Sequence, residues 1–452
     1  MRIDRHLSSS ARTIGCVSAS ILLLLVQGAL LFSYGQQRAN SVDIDRGRTM
    51  LKTIKDDLKA NYYDPTYHGM DLEVRFKTAD EKIKQAASLG QIFGIVAQVL
   101  LDLDDSHTFF VPPQRSYRSE YGWQAQMIGD KALVVAVKPG SDAEAKGLQP
   151  GDEIYSVDGV HLTRKNMWVF EYLYHALRPQ PAMRLATIKP DGKQEELNVL
   201  TKLQEGKRIL NLTLNDMGSD YFDLIRESEN ESRLHRARWV EVGEDLIILK
   251  MPDFVMPKEN VDELVGKFRK RKAVILDLRG NGGGYVEALL HFTGYFVDHD
   301  VKVADPKGRK EIKPMIAKTH GDSIFKGKLI VLIDSGSASA AELFARVVQL
   351  EKRGIVIGDN SSGSVMRARS QGHQLGVDTI VLWGVSITDA DLIMADGKSL
   401  EHVGVVPDET RLPTAADLAA KRDPVLTYAA SLVGVDVSPE KAGHFFPIEW
   451  RK

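Results

Sequence analysis

Lys328 to Glu351 reads KLIVLIDSGSASAAELFARVVQLE: an aliphatic run, a turn of small residues and an amphipathic stretch in direct succession. Residues 329–333 are all aliphatic, the pattern of a strand buried on both faces of a parallel sheet. From Ala340 onward, Leu343, Val347 and Leu350 recur with Phe344 and Val348 beside them, which predicts a helix with one apolar face. Between strand and helix lie only Ser335, Gly336, Ser337, Ala338 and Ser339. A serine hydroxyl therefore stands at a helix N-terminus, just outside the carboxyl end of a strand. Ligands of open α/β sheets collect at that edge, and the free N–H groups of a first helical turn favour a developing negative charge. Such a hydroxyl is either a nucleophile or a helix cap, since serine is a preferred N-cap.

Upstream the same alternation recurs. Residues 245–251 (DLIILKM) read as a strand, a helix is expected over 259–272, and the strand at 273–278 runs into Arg279-Gly280-Asn281-Gly282-Gly283-Gly284. Four glycines let backbone approach a ligand closely, but no P-loop lysine and serine follow and the spacing is not GxGxxG, which sets nucleotide binding aside. Strands and helices alternating over 245–360 give an α/β core with parallel strands and helical crossovers. The basic run KFRKRK at 267–272 falls at the end of the expected helix, where it complements the dipole. With a formal net charge of −2 over 452 residues, no global field draws the chain to nucleic acid.

SASAAE after an aliphatic strand, together with ILDLRGNGGG upstream, resembles the serine peptidases of the C-terminal processing and tricorn-core type. The resemblance implies a crotonase-like α/β core. It makes Ser339, three residues before Glu342, the nucleophile. It also implies an oxyanion hole formed by the Ala340 N–H and a second donor within the Gly282–Gly283–Gly284 turn. Residues 133–162 (LVVAVKPGSDAEAKGLQPGDEIYSVDGVHL) resemble a PDZ domain, a module that pairs an extended peptide with a sheet edge. By that resemblance Tyr121, Gly122 and Trp123 form the loop that faces a peptide carboxylate, although the usual paired glycines are missing. The module could equally serve as a spacer or lid. The expected organisation is an N-terminal helical segment over 36–115, an inserted PDZ domain over 120–203, the peptidase core over 204–440 and a tail over 441–452.

A serine hydroxyl needs a base, and the family offers two. Processing peptidases use a lysine, but ungapped counting from Glu342 places Gly363-Ser364 where glycine and lysine should stand, and the only lysine between Ser339 and Lys398 is Lys352. Tricorn-type enzymes use a histidine preceded by serine, with a glutamate further along. Ser106-His107 and Glu401, within LEHVGVVPD at 400–408, match that pattern, and it implies a tetrad of Ser339, His107, Ser106 and Glu401. His107 follows a helical pattern carried by Ile92, Ile95, Val96, Val99, Leu100 and Leu103. The expected activity is hydrolysis of peptides or unfolded proteins through an acyl-enzyme, without cofactor. The alternative is a catalytically inactive protein of the same fold that binds peptides or a hydrophobic ligand.

The chain opens with Arg2, Arg5 and Arg12, is apolar over 14–32 and reaches Ser33-Tyr34-Gly35. This describes an export signal cleaved after Gly35, or else an uncleaved membrane anchor. A periplasmic or extracellular location follows, with the membrane touched only through this segment. The single cysteine, Cys16, lies inside it, so a cleaved chain has no disulfide, thiolate metal site or cysteine nucleophile. Twelve histidines form no HExxH or similar ligand set, and no metal is expected.

Overall fold

The computed structural model describes residues 39–113, 117–205, 233–376 and 381–450. The export segment and its cleavage position lie outside them. The aliphatic runs form a central sheet in which Leu246–Lys250, Ala273–Asp277, Lys328–Ile333 and Ile355–Gly358 are parallel neighbours in that order. Arg238–Val242 pairs antiparallel at one edge, and Glu409–Thr410 closes the other. Side chains alternate across a strand. Ile247 and Leu249 therefore enter one hydrophobic layer while Leu246 and Ile248 enter the other.

Helices Lys258–Phe268, Val286–Gly294 and Ala340–Leu350 cover the first face, bringing Phe268, Phe292 and Phe344 into full burial. Each such side chain contributes roughly 1.5–3 kcal/mol relative to exposure. Helices Pro424–Leu432 and Pro439–Gly443 cover the second face. The last of these spans the expected boundary at 440, and Ala442, Phe445 and Phe446 join that layer. Helix Lys258–Phe268 ends before most of the basic run, unlike the expected 259–272. Arg271 instead meets Glu241 at 2.5 Å, Lys272 meets Asp245 at 3.0 Å, and Lys267 lies 4.4 Å from the Trp239 ring centroid.

A second, antiparallel sheet was not legible in the sequence. Its long strand Val381–Met394 pairs with Phe109–Val111, Met366–Leu375 and Val301–Lys307, and the last of these pairs with Met315–Ala317. The N-terminal helices Ser41–Asn61, Leu72–Lys84 and Leu89–Leu101 pack on it, burying Leu58, Phe76, Ile83 and Val96 with Trp383, Val385 and Ile387. This packing fixes where the turn at 102–108 emerges.

Between Phe109–Val111 and the central sheet the chain makes an excursion. Trp123–Ile128, Lys131–Val137, Glu153–Val157, Ala182–Ile188 and Gln194–Leu200 form one antiparallel sheet around a core of their own. Tyr117–Glu120 pairs with Lys202–Glu205, so the two connections run side by side.

Candidate active site

The turn that carries Ser339 is built by the abrupt change from the Lys328–Ile333 strand to the Ala340–Leu350 helix. Ser339 is held there at φ 54°, ψ −115°, a region that costs a non-glycine residue of the order of 1–3 kcal/mol and persists only where the surroundings enforce it. They do so through Glu342, which is fully buried. Its carboxylate accepts from Ser339 N at 2.9 Å, Ser364 N at 3.0 Å, Gly363 N at 2.7 Å and the Ser361 hydroxyl at 2.6 Å. Burial pushes this carboxyl up to about 7, against the four hydrogen bonds that lower it. Four donors converge on it, and the Ser361 oxygen is itself accepting from Val405 N at 2.6 Å. That arrangement favours the ionised form.

His107 reaches Ser339 from the other sheet. Helix Leu89–Leu101 ends, and Asp105 folds the chain back by accepting from His107 N at 3.0 Å, Thr108 N at 2.7 Å and the Thr388 hydroxyl at 2.6 Å. Strand Phe109–Val111 then joins Val381–Met394. His107 Nε2 lies 3.4 Å from Ser339 Oγ. Its Nδ1 lies 2.7 Å from Ser106 Oγ, whose hydroxyl donates to Glu401 Oε2 at 2.9 Å. Glu401 also accepts from Ser106 N and Val365 N, each at 2.7 Å. Since the Ser106 proton points to the carboxylate, its oxygen is free to accept from Nδ1–H, which leaves the Nε2 lone pair facing Ser339. Burial lowers the His107 pKa, with Asp105 opposing, and burial raises that of Glu401.

The glycine turn closes the site. A side chain on Gly283, at φ +96°, would place its Cβ 2.6 Å from Ser339 Cβ, so only glycine fits. The Gly283 N–H donates to Asn281 Oδ1 at 2.9 Å, which differs from the expected free donor; Gly282 is exposed beside it. Ala340 opens the helix, where an N–H lacks an intrahelical partner. Ser364, at the place of a lysine, bonds Ser339 N through its carbonyl at 2.9 Å. Among the described residues no group of three His, Cys, Asp or Glu side chains could hold a metal.

Comparison with known proteins agrees with this architecture. Residues 245–411 match peptidase family S41, and residues 133–173 match a PDZ domain. Residues 245–411 are thus similar to the catalytic region of peptidase family S41. The tail-specific protease of Haemophilus influenzae is 26% identical over 324 residues, covering 67% of this chain but 43% of that protein, so the chain spans under half of that relative's length. The carboxy-terminal processing protease CtpA of Bacillus subtilis is 24% identical, covering 94% of this chain and 81% of its own. Mature CPAF complexed with lactacystin superposes with a TM-score of 0.60 at 16% identity, over 84% of this chain and 96% of that one, which supports the fold.

In the PDZ domain, Tyr121, Gly122 and Trp123 line a groove of about 600 Å³ together with Met167 and Phe170. Tyr121 itself is buried, and its hydroxyl donates to Tyr174 O at 2.9 Å, so it builds the wall rather than offering a free polar group. Gly122, at φ +75°, has its Cα against Ser141, where a Cβ would come within 2.4 Å. Sequence reasoning missed Asp105 and Asn281. The pattern Asp-Asp-Ser-His-Thr could have suggested the first, because aspartate commonly bonds backbone N–H groups just downstream.

Proposed function

We propose that this chain is an exported serine endopeptidase, of mixed α/β fold with a crotonase-like core, that cleaves peptides or unfolded proteins through an acyl-enzyme on Ser339. The observation that carries the reading is the continuous chain from Ser339 through His107 and Ser106 to Glu401, with neighbouring distances of 3.4, 2.7 and 2.9 Å. The first of these is long for a hydrogen bond, as is common before substrate tightens a catalytic pair. His107 takes the proton of Ser339 as the hydroxyl attacks the scissile carbonyl, then gives it to the leaving amine. Water repeats the cycle and releases the acid. Ser106 and Glu401 hold the imidazole in the tautomer this needs and stabilise the imidazolium, as the acidic partner does in other triads. The oxyanion is received by the Ala340 N–H and a donor from the glycine turn, for which Gly282 is better placed than Gly283.

The lysine scheme of the processing peptidases has no lysine here, and the tricorn-type assignment accounts for all four residues. We adopt the division into a helical segment, PDZ insert, core and tail drawn from the sequence, and export rests on the apolar segment at 14–32. Incubation with reduced, unfolded casein and mass spectrometry of the products tests the activity. Internal cleavage is expected from the wild type and none from Ser339→Ala or His107→Ala. Intact casein with folded wild type would favour a binding protein instead.

A further inference from the structure

Strand Trp123–Ile128 is at the end of its sheet and is paired only with Lys131–Val137 among the described residues. The groove alongside it, walled by Trp123, Met167 and Phe170, is also lined by Trp450, a residue from the far end of the described chain. Trp450 is held there from the core side. Arg233 donates to Glu449 Oε2 at 2.5 Å and to Trp450 O at 3.1 Å, while Arg238 donates to Pro447 O at 3.1 Å and meets Glu449 at 3.4 Å. The Arg238 guanidinium lies 5.7 Å from the Phe446 ring centroid. A segment clamped at successive positions thus presents Trp450 to an aromatic groove beside a strand edge that has no partner among the described residues, the place where a PDZ domain receives a peptide.

We infer that Trp450, carried on the clamped segment 447–450, is a built-in competitor at the PDZ groove, standing in the position of a peptide side chain, and that incoming peptides must displace it. This rests on reading the groove as a peptide site, and it deepens the proposed function by naming a competitor and a class of ligand: extended segments that carry a bulky aromatic or apolar side chain. A tethered competitor acts at an effective concentration of the order of millimolar. It therefore weakens any peptide of lower local concentration without altering the catalytic residues.

The test uses Ser339→Ala protein, so that binding is read without hydrolysis and a failure of the catalytic proposal leaves it untouched. The probe is a fluorescein-labelled synthetic peptide, KAGHFFPIEWRK, copying residues 441–452, titrated by fluorescence anisotropy. Relative to the parent, Trp450→Ala, which removes the plug, and Arg233→Ala, which removes its clamp, are each expected to bind at least about tenfold tighter. Equal thermal melting of the three proteins establishes that the domain is intact. Equal affinity in all three, or no binding by any, overturns the inference. A tightening that disappears when the protein is diluted to monomer also overturns it, because the occupant would then come from a second copy.

Discussion

In the proposed mechanism Ser339 is reactive only as far as His107 Nε2 can take its proton, and burial lowers the pKa of that imidazole from its ordinary 6.5. The neutral ring is the base, so lowering its pKa extends activity toward acid. The acid limb of kcat/KM is expected to have its midpoint below 6.5; a midpoint above it would place the base in a different environment. Glu401 accepts three hydrogen bonds, two from Ser106 and one from Val365 N. Ser106→Ala and Glu401→Gln should each lower kcat roughly 10- to 1000-fold with little change in KM, and the double variant should lose scarcely more than the worse single one, as expected of groups that act as a unit. Additive losses in a double-mutant cycle would show that they act separately. Both residues were legible in the sequence through the tricorn-type pattern. The hydrogen-bond order was not, because it depends on an approach across 295 positions of chain.

At the scale of elements, the site is three turns held together from inside. Glu342 ties the nucleophile turn to residues 361–364, while Asn281 ties the glycine turn to its surroundings by accepting from Gly283 N at 2.9 Å, donating to Met251 O at 2.9 Å and accepting from Ala338 N at 2.8 Å through its carbonyl. Glu342→Gln would turn an amide NH2 toward N–H donors that now meet a carboxylate. A destabilisation of about 2–4 kcal/mol is expected from the unpaired buried groups, measurable by urea unfolding, with activity falling alongside; wild-type stability would contradict the role given to Glu342. Gly283→Ala drives a Cβ into Ser339 and should reduce kcat at least about 100-fold, the scale of losing an oxyanion contact, while circular dichroism stays native. The small-residue turn and the glycines were readable because their chemistry is local. The buried role of Glu342 was not readable there, since its partners at 361–364 come from another part of the chain.

For the whole molecule, Ser339 follows a strand of the parallel sheet and His107 precedes a strand of the antiparallel one, so the proposed nucleophile and base meet only while the two sheets stay docked. Unbroken aliphatic runs announced the first sheet. The second escaped because its strands read poorly alone: Val301–Lys307 contains Asp305-Pro306, and Met366–Leu375 is polar and mostly half-buried or exposed, so only pairing with Val381–Met394 makes them strands. The PDZ domain is fastened to the same region. Arg164 bonds Asp359 Oδ2 at 2.5 Å and Gly129 O at 2.8 Å, and the Ser335 hydroxyl of the nucleophile turn donates to Met127 O at 2.6 Å. Arg164→Ala should raise hydrogen exchange at residues 127–129 and 359–361 while leaving helix Leu89–Leu101 protected; unchanged exchange would mean that the domain is held elsewhere. The central claim, that an imidazole from the helical N-terminal region activates a serine across the seam, is tested most directly by the second-order rate of fluorophosphonate labelling, with the modified peptide sequenced. Labelling of wild type at Ser339, slowed by roughly 100-fold or more in His107→Ala, is the predicted result. Labelling of Ser339 in His107→Ala at the wild-type rate would contradict it.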